Sequence, residues 1–256
     1  MLEELKSTKP FIEKSLKIEI PEYRVDNKGV VDAKEISFSF GNEEVFKKLS
    51  LSLSTKDRIG IIGENGSGKT TLMRCLTSEL TPREGNIRIN EGIRYDYIPQ
   101  EVQKTFKRGT LLDNMRVFDL EETNIRKALG GAKFREDKVH QDIFTLSYGE
   151  QMRAAILKAV LEKAEFLFLD EPTNHLDIES LEVLDDLPNE YPGGMLFISH
   201  DRHFIAEHGE KLFSLENGTL RQFIMKTHID KEEFKIMHEF SKEAVELAKK
   251  RRIEHN

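Results

Sequence analysis

The chain has 256 residues, 38% of them apolar and 33% charged, with a formal net charge of −7. That apolar content can fill the core of one large domain or two small ones. No apolar run reaches the roughly 18 residues of a membrane-spanning helix, so no such helix is expected. The first ten residues mix both charge signs and do not read as a secretory leader. Cys75 is the only cysteine, which excludes a disulfide framework and a thiol metal site. A cytoplasmic protein is expected, and contact with nucleic acid would have to use local basic patches.

Residues 1–28 read as an attached segment, with Leu2, Leu5, Phe11 and Ile12 scattered among charges before Pro21 and Gly29. Ile36, Phe38 and Phe40 then alternate with polar residues, as do Leu49, Leu51 and Leu53, and both stretches predict strands. Ile59, Ile61 and Ile62 form a short apolar strand that runs into a glycine-rich turn, followed by a helix from Thr71. Pro82 and Gly85 lead into a strand over Asn86–Asn90. Residues 109–160 are expected to be mostly helical, opening with Leu111, Leu112, Met115 and Val117. Phe166–Leu169 and Met195–Ile198 are continuously apolar, as parallel strands buried on both faces should be. Glu216-Asn217-Gly218 predicts a hairpin. From about Lys231, Phe234, Met237, Phe240, Ala244 and Leu247 recur at helical spacing, and Lys249–Arg252 close a basic run. Strands alternating with helices predict an α/β fold with a largely parallel sheet.

Gly63-Glu64-Asn65-Gly66-Ser67-Gly68-Lys69-Thr70 fits the pattern G-x-x-x-x-G-K-[ST] between a strand and a helix. Glycines let backbone N–H groups curl around phosphate oxygens, and the following helix presents its positive end. Lys69 can reach the outer phosphates and the Thr70 hydroxyl can ligate Mg²⁺. Asp170 and Glu171 close a buried apolar strand, where such sheets bind their ligands. Asp170 is expected to hold Mg²⁺ through water, and Glu171 to act as general base on the attacking water.

Leu146-Ser147-Tyr148-Gly149-Glu150-Gln151, shortly before the Asp-Glu strand, resembles the signature sequence of ATP-binding cassette (ABC) domains, usually LSGGQ. Tyr148 and Glu150 depart from that consensus. The resemblance covers residues 30–224 and implies a P-loop NTPase ABC cassette. Its core sheet is mainly parallel, with an antiparallel β-subdomain and a small helical subdomain over about 108–160. The cofactors implied are ATP and Mg²⁺. The catalytic set implied is Glu171, with Gln100 of the Q-loop and the switch histidine His200. Gln100 joins Thr70 and Asp170 around the metal. The nucleotide contacts implied are Phe40 stacking on adenine and Gly63, Asn65, Gly66, Ser67, Gly68, Lys69, Thr70 and Thr71 around the phosphates. Ser147, Gly149 and the D-loop Asp177 would act across the interface with a second cassette, from the same longer chain or a second copy.

Asp170-Glu171-Pro172-Thr173-Asn174-His175-Leu176-Asp177 carries Asn-His where transporter subunits usually carry Ser-Ala. That string, and Ser199–Arg202 with Phe204 close behind, resemble the ABC-F subfamily, which has no membrane domains and many of whose members act on the ribosome. Leu146–Met152 is similar to the second cassette of its antibiotic-resistance members, which protect ribosomes. On this reading residues 1–28 are the end of an inter-cassette linker, 29–225 the cassette and 226–256 a charged helical extension. The extension carries eight Lys/Arg against seven Asp/Glu, so its charge nearly cancels. Contact with ribosomal RNA would use Lys104, Lys107, Arg108 and Lys249–Arg252. The alternative is the ATP-binding subunit of a membrane transporter. It would need a groove near Gln100, and the 45 residues between Gln100 and Leu146 leave little room for one.

Overall fold

A computed structural model of the protein describes residues 23–116, 120–174 and 176–224. The expectations for residues 1–22, Val117, His175 and the chain from 225 onward lie outside the described residues.

Two sheets organise the fold. β1 (Gly29–Phe40), β2 (Glu43–Ser54) and β4 (Glu84–Ile89) form an antiparallel sheet in the order β2-β1-β4. The period-two pattern holds: Leu49, Leu51 and Leu53 are buried while Ser50 and Ser52 face out. The second sheet contains β3 (Arg58–Ile62), β5 (Tyr95–Ile98), β6 (Phe166–Asp170), β7 (Gly194–Ile198), β8 (Lys211–Glu216) and β9 (Thr219–Ile224). Its order is β5-β6-β7-β3-β8-β9. The first five of these strands are parallel, and β9 returns antiparallel to β8. Asn217 and Gly218 make the β8–β9 turn, both with positive φ, 47° and 71°, as a two-residue hairpin turn of type I′ requires.

β6 and β7 are buried along their whole length because both faces of the main sheet are covered. Phe166 and Phe168 face the core shared with the antiparallel sheet, along with Leu196 and Ile198 of β7. Leu167 and Leu169 face the opposite core, with Met195 and Phe197. This two-sided burial is the physical reason the two segments contain no polar residue until Asp170 and Ser199.

The helices are α1 (Lys69–Leu76), α2 (Leu111–Met115), α3 (Glu122–Gly131), α4 (Glu136–Val139), α5 (Tyr148–Leu161), α6 (Ile178–Glu190) and α7 (Arg202–His208). The stretch 109–160 is broken into four helices of which only α5 is long. Local chemistry does the breaking. Thr110 and Asp113 form a capping box that starts α2, and Asp142 caps the short 3₁₀ turn Ile143–Thr145. Thr110 also pairs with Asp142 in an isolated antiparallel bridge, which folds the region back on itself. Residues 23–28 run along the body of the fold: Val25 is buried, the Tyr23 hydroxyl donates to the Ala164 carbonyl at 2.7 Å, and the Thr55 hydroxyl donates to that of Asp26 at 2.5 Å. Among the described residues, no helix is long and apolar enough to cross a membrane.

Candidate nucleotide site

The glycine-rich loop leaves the C-terminal end of β3 and enters α1, as its context in the sequence requires. Gly63 sits at φ 152°, and a side chain there would meet the Leu215 carbonyl at 2.5 Å. Gly68 caps α1 at φ 100°, where a Cβ would stand 2.5 Å from Val45 Cγ1. Both positions are closed to other residues. The Lys69 ammonium folds over the loop and donates to the carbonyls of Gly63 at 2.8 Å and Glu64 at 2.9 Å. Burial lowers its pKa, against the opposing pull of Glu171 and Asp170. Ser67 Oγ is buried at the loop with no protein partner. A loop of N–H groups with one orphaned hydroxyl and a buried ammonium fits a phosphate chain.

Asp170 ends β6 beside this loop. Its Oδ1 accepts from the Thr70 hydroxyl at 3.2 Å, and its Oδ2 accepts from the Tyr97 hydroxyl of β5 at 3.3 Å. Burial raises the Asp170 pKa, offset by those two donors. Thr70 and Asp170 are hard oxygen donors suited to Mg²⁺, which is held by one or two carboxylates plus phosphate oxygens rather than by an all-protein cage. The donor set fits that pattern, one carboxylate and one hydroxyl side by side at the phosphate loop.

Glu171 follows in the left-handed region, φ 54°, and its N–H donates to the Ile198 carbonyl at 2.9 Å. A non-glycine residue held there costs of order 1–3 kcal/mol, and such strain collects at functional sites. The turn returns the carboxylate to two partners. His200 Nε2, just past the end of β7, lies 3.2 Å from Oε1, and the Asn174 amide donates to Oε2 at 3.4 Å. The Thr173 and Ser199 hydroxyls, 2.9 Å apart, tie the same turn to the segment that carries His200. Lys69, Thr70, Asp170, Glu171 and His200 therefore converge at the C-terminal ends of β3, β6 and β7.

Ser147, Gly149 and Asp177 form a second group. Ser147 caps α5: its Oγ accepts from the Glu150 N–H at 3.2 Å, while the Glu150 carboxylate accepts from the Ser147 N–H at 2.8 Å. Glu150, which departs from the consensus glutamine, is thus one half of a capping box. Accepting that bond leaves the Ser147 hydroxyl proton able to donate to an anion. Gly149 is pressed against α6, where a Cβ would lie 2.5 Å from Ser180 Oγ and 3.5 Å from Asp177 Oδ1. Asp177 caps α6, accepting from the Ser180 N–H at 2.8 Å, and the Ser180 side chain, with that N–H, holds its carboxyl below the usual range. Gln100 is exposed beyond β5, and its carbonyl accepts from the Tyr148 hydroxyl at 3.1 Å. Burial, with the charges of Asp170 and Glu171 adding to it, raises the Tyr148 pKa.

Phe40 closes β1 with 54% of its surface exposed, braced edge-on by Phe38 at a centroid distance of 5.0 Å. An exposed ring over a buried one offers a stacking face. Asn65 and Gly66 are exposed in the loop, and Thr71 is half-buried in α1. Two residues were assigned no part in the site by the sequence. These are Tyr97, three residues before Gln100, and Asn174, which the sequence offers only as part of a subfamily string. The even spacing of Tyr95 and Tyr97 on one sheet edge was the available signal for the first.

A family model described as ABC transporter matches residues 46–174. The chain is 34% identical over 219 residues to ABC transporter F family member 5 of Arabidopsis thaliana, covering 84% of this chain and 32% of that protein. It is 32% identical over 222 residues to F family member 2 of the same plant, covering 84% and 32%. It is 33% identical over 183 residues to YheS of Haemophilus influenzae, described as a probable ATP-binding protein, covering 70% and 29%. The chain therefore spans about a third of the length of these curated relatives. Among solved structures, the dimeric post-hydrolysis state of the ATP-binding cassette MJ0796 bound to ADP and Pi aligns with a TM-score of 0.64 at 21% identity, covering 77% of this chain and 99% of that one. At that identity the likeness establishes the fold.

Proposed function

Because the chain belongs to the ABC transporter family of ATP-binding domains, we propose that it is an ATPase that turns over when a second cassette completes its site. The observation that carries this reading is the convergence of Lys69, Thr70, Asp170 and Glu171 on one loop, with His200 3.2 Å from Glu171. Lys69 would leave the loop carbonyls for phosphate oxygens, and Thr70 with Asp170 would hold the metal. Mg²⁺, when bound, neutralises charge on those oxygens. Glu171 would take the proton of the attacking water, with His200 and Gln100 around it. Ser147 and Gly149 stand at the start of α5, one capping it and the other packed on α6, and their likeness to the cassette signature supports a partner cassette as the source of the second half of each site. The dimeric solved cassette is consistent with that arrangement.

The partner reading goes further. The Asn174-His175 string and relatives named F family members support an ABC-F protein, in which closure of two cassettes acts on a ribosome. Protection of ribosomes against antibiotics is the narrowest form, and it rests on the string Leu146–Met152. The test has two arms. ATPase activity of the chain should rise faster than linearly with protein concentration, and a rate proportional to concentration in dilute monomer overturns the paired-site reading. Glu171→Gln should co-sediment with purified ribosomes only when ATP is present, and equal recovery without ATP overturns the ribosome reading.

A further inference from the structure

We propose that Asn174 is a positioning residue that fixes the carboxylate of Glu171 through its side-chain amide. The inference rests on the reading of Glu171 as general base. The geometry is a closed turn. Glu171 enters it at positive φ, and the Asn174 N–H returns to the Glu171 carbonyl at 3.3 Å. That return brings Asn174 Nδ2 to 3.4 Å from Oε2 of the same residue. A carboxylate oxygen only accepts, so the amide must present its N–H₂ edge there; the flipped amide would set oxygen against oxygen. The opposite oxygen, Oε1, faces His200 Nε2 at 3.2 Å.

The two grips differ in kind. His200 stands at a half-exposed position after β7, where its ring would have room to turn toward a bound phosphate. When it does, Oε1 loses its contact. Asn174 belongs to the same turn as Glu171, and Thr173 pins that turn to Ser199 at 2.9 Å. The amide therefore keeps hold of Oε2 while the histidine moves, and the base retains its aim through the cycle. Asparagine is suited to this task because it is neutral and donates. Serine at the same place is too short to reach Oε2. Aspartate has the shape of asparagine but sets a second negative oxygen against the carboxylate.

That last contrast separates positioning from turn-building, since Asp and Asn serve equally well in a tight turn. Asn174→Ala should lower kcat about tenfold, and Asn174→Asp should lower it further, each with KM for ATP within about twofold of the parent. In the Glu171→Gln background neither substitution should lower the residual rate further. A second readout needs no turnover: in the ¹⁵N-labelled chain, the side-chain amide signal of Asn174, identified by its loss in Asn174→Asp, should move in Glu171→Ala. An Asn174→Asp variant as active as the parent, or an amide signal indifferent to Glu171→Ala, overturns the inference. If Glu171→Gln itself kept most of the activity, the general-base reading would fall instead, so the two failures are distinguishable.

Discussion

The hydroxyl of Tyr97 on β5 reaches across to β6 and donates to Oδ2 of Asp170 at 3.3 Å, while Thr70 takes the other oxygen. When Thr70 turns its hydroxyl to a metal, Tyr97 becomes the donor that holds Asp170 in place. Tyr97→Phe keeps the ring and removes only this bond. We expect the Mg²⁺ concentration that half-saturates nucleotide binding to rise about five- to tenfold, as the loss of one long hydrogen bond of ~1–1.5 kcal/mol implies. Titration of Mg²⁺ against a fluorescent ATP analogue measures it, and an unchanged midpoint would show Tyr97 to be a packing residue.

Lys69 is a buried cation whose protein partners are two carbonyls that ATP would replace with charged oxygens. Lys69→Ala removes charge-assisted bonds of ~1.5–3 kcal/mol, so nucleotide affinity should fall by roughly 10- to 150-fold. Calorimetric titration reads this directly. The melting temperature without nucleotide should hardly fall, because burial disfavours the ammonium that is lost.

Gly149 and Ser180 press together where α5 meets α6, with the Ser180 hydroxyl buried between them. Gly149→Ala should destabilise the fold by about 1–3 kcal/mol through overpacking. Ser180→Ala removes the atom in the way and should restore much of that stability in the double variant. Chemical denaturation of the four proteins gives the coupling energy, and strict additivity would refute the clash.

Asp96 lies on the edge strand β5, and burial, with Glu162 adding to it and Lys158 opposing, pushes its pKa up to about 6. The unfolded value is 3.8, so the fold prefers the protonated carboxyl. Its stabilising contribution is fully present below about pH 4 and is lost as pH rises through about 6. Asp96→Asn imitates the protonated form. It should be about 1–2 kcal/mol more stable than the parent at neutral pH, since solvent screens part of the charge, and no more stable near pH 4. Denaturation at the two pH values decides it.

The parts of the site that were legible in the sequence are those whose chemistry is local. The loop Gly63–Thr70 is set by its own glycines and by the strand and helix that flank it. Asp170 and Glu171 stand out because every residue of β6 before Asp170 is apolar. Tyr97 could not be assigned, since its partner is 73 residues away and only strand order brings them together. The helical character of 109–160 is legible, but its breaks are not, because two caps and the Thr110–Asp142 bridge, not apolar periodicity, decide where they fall. Glu150 looked like a departure from a motif until its bond to Ser147 gave it a structural task.

The way β6 and β7 are buried on both faces has a consequence for motion. Amides of Leu167 and Phe197 lie in the middle of the sheet and should exchange with solvent only when the whole domain unfolds. α2 and α4 are five and four residues long, and they should exchange through local opening at much lower cost. The helical layer can therefore loosen, tilt and close again many times in the life of one folded molecule, while Asp170 and Glu171 stay anchored to strands that take no part in the excursion.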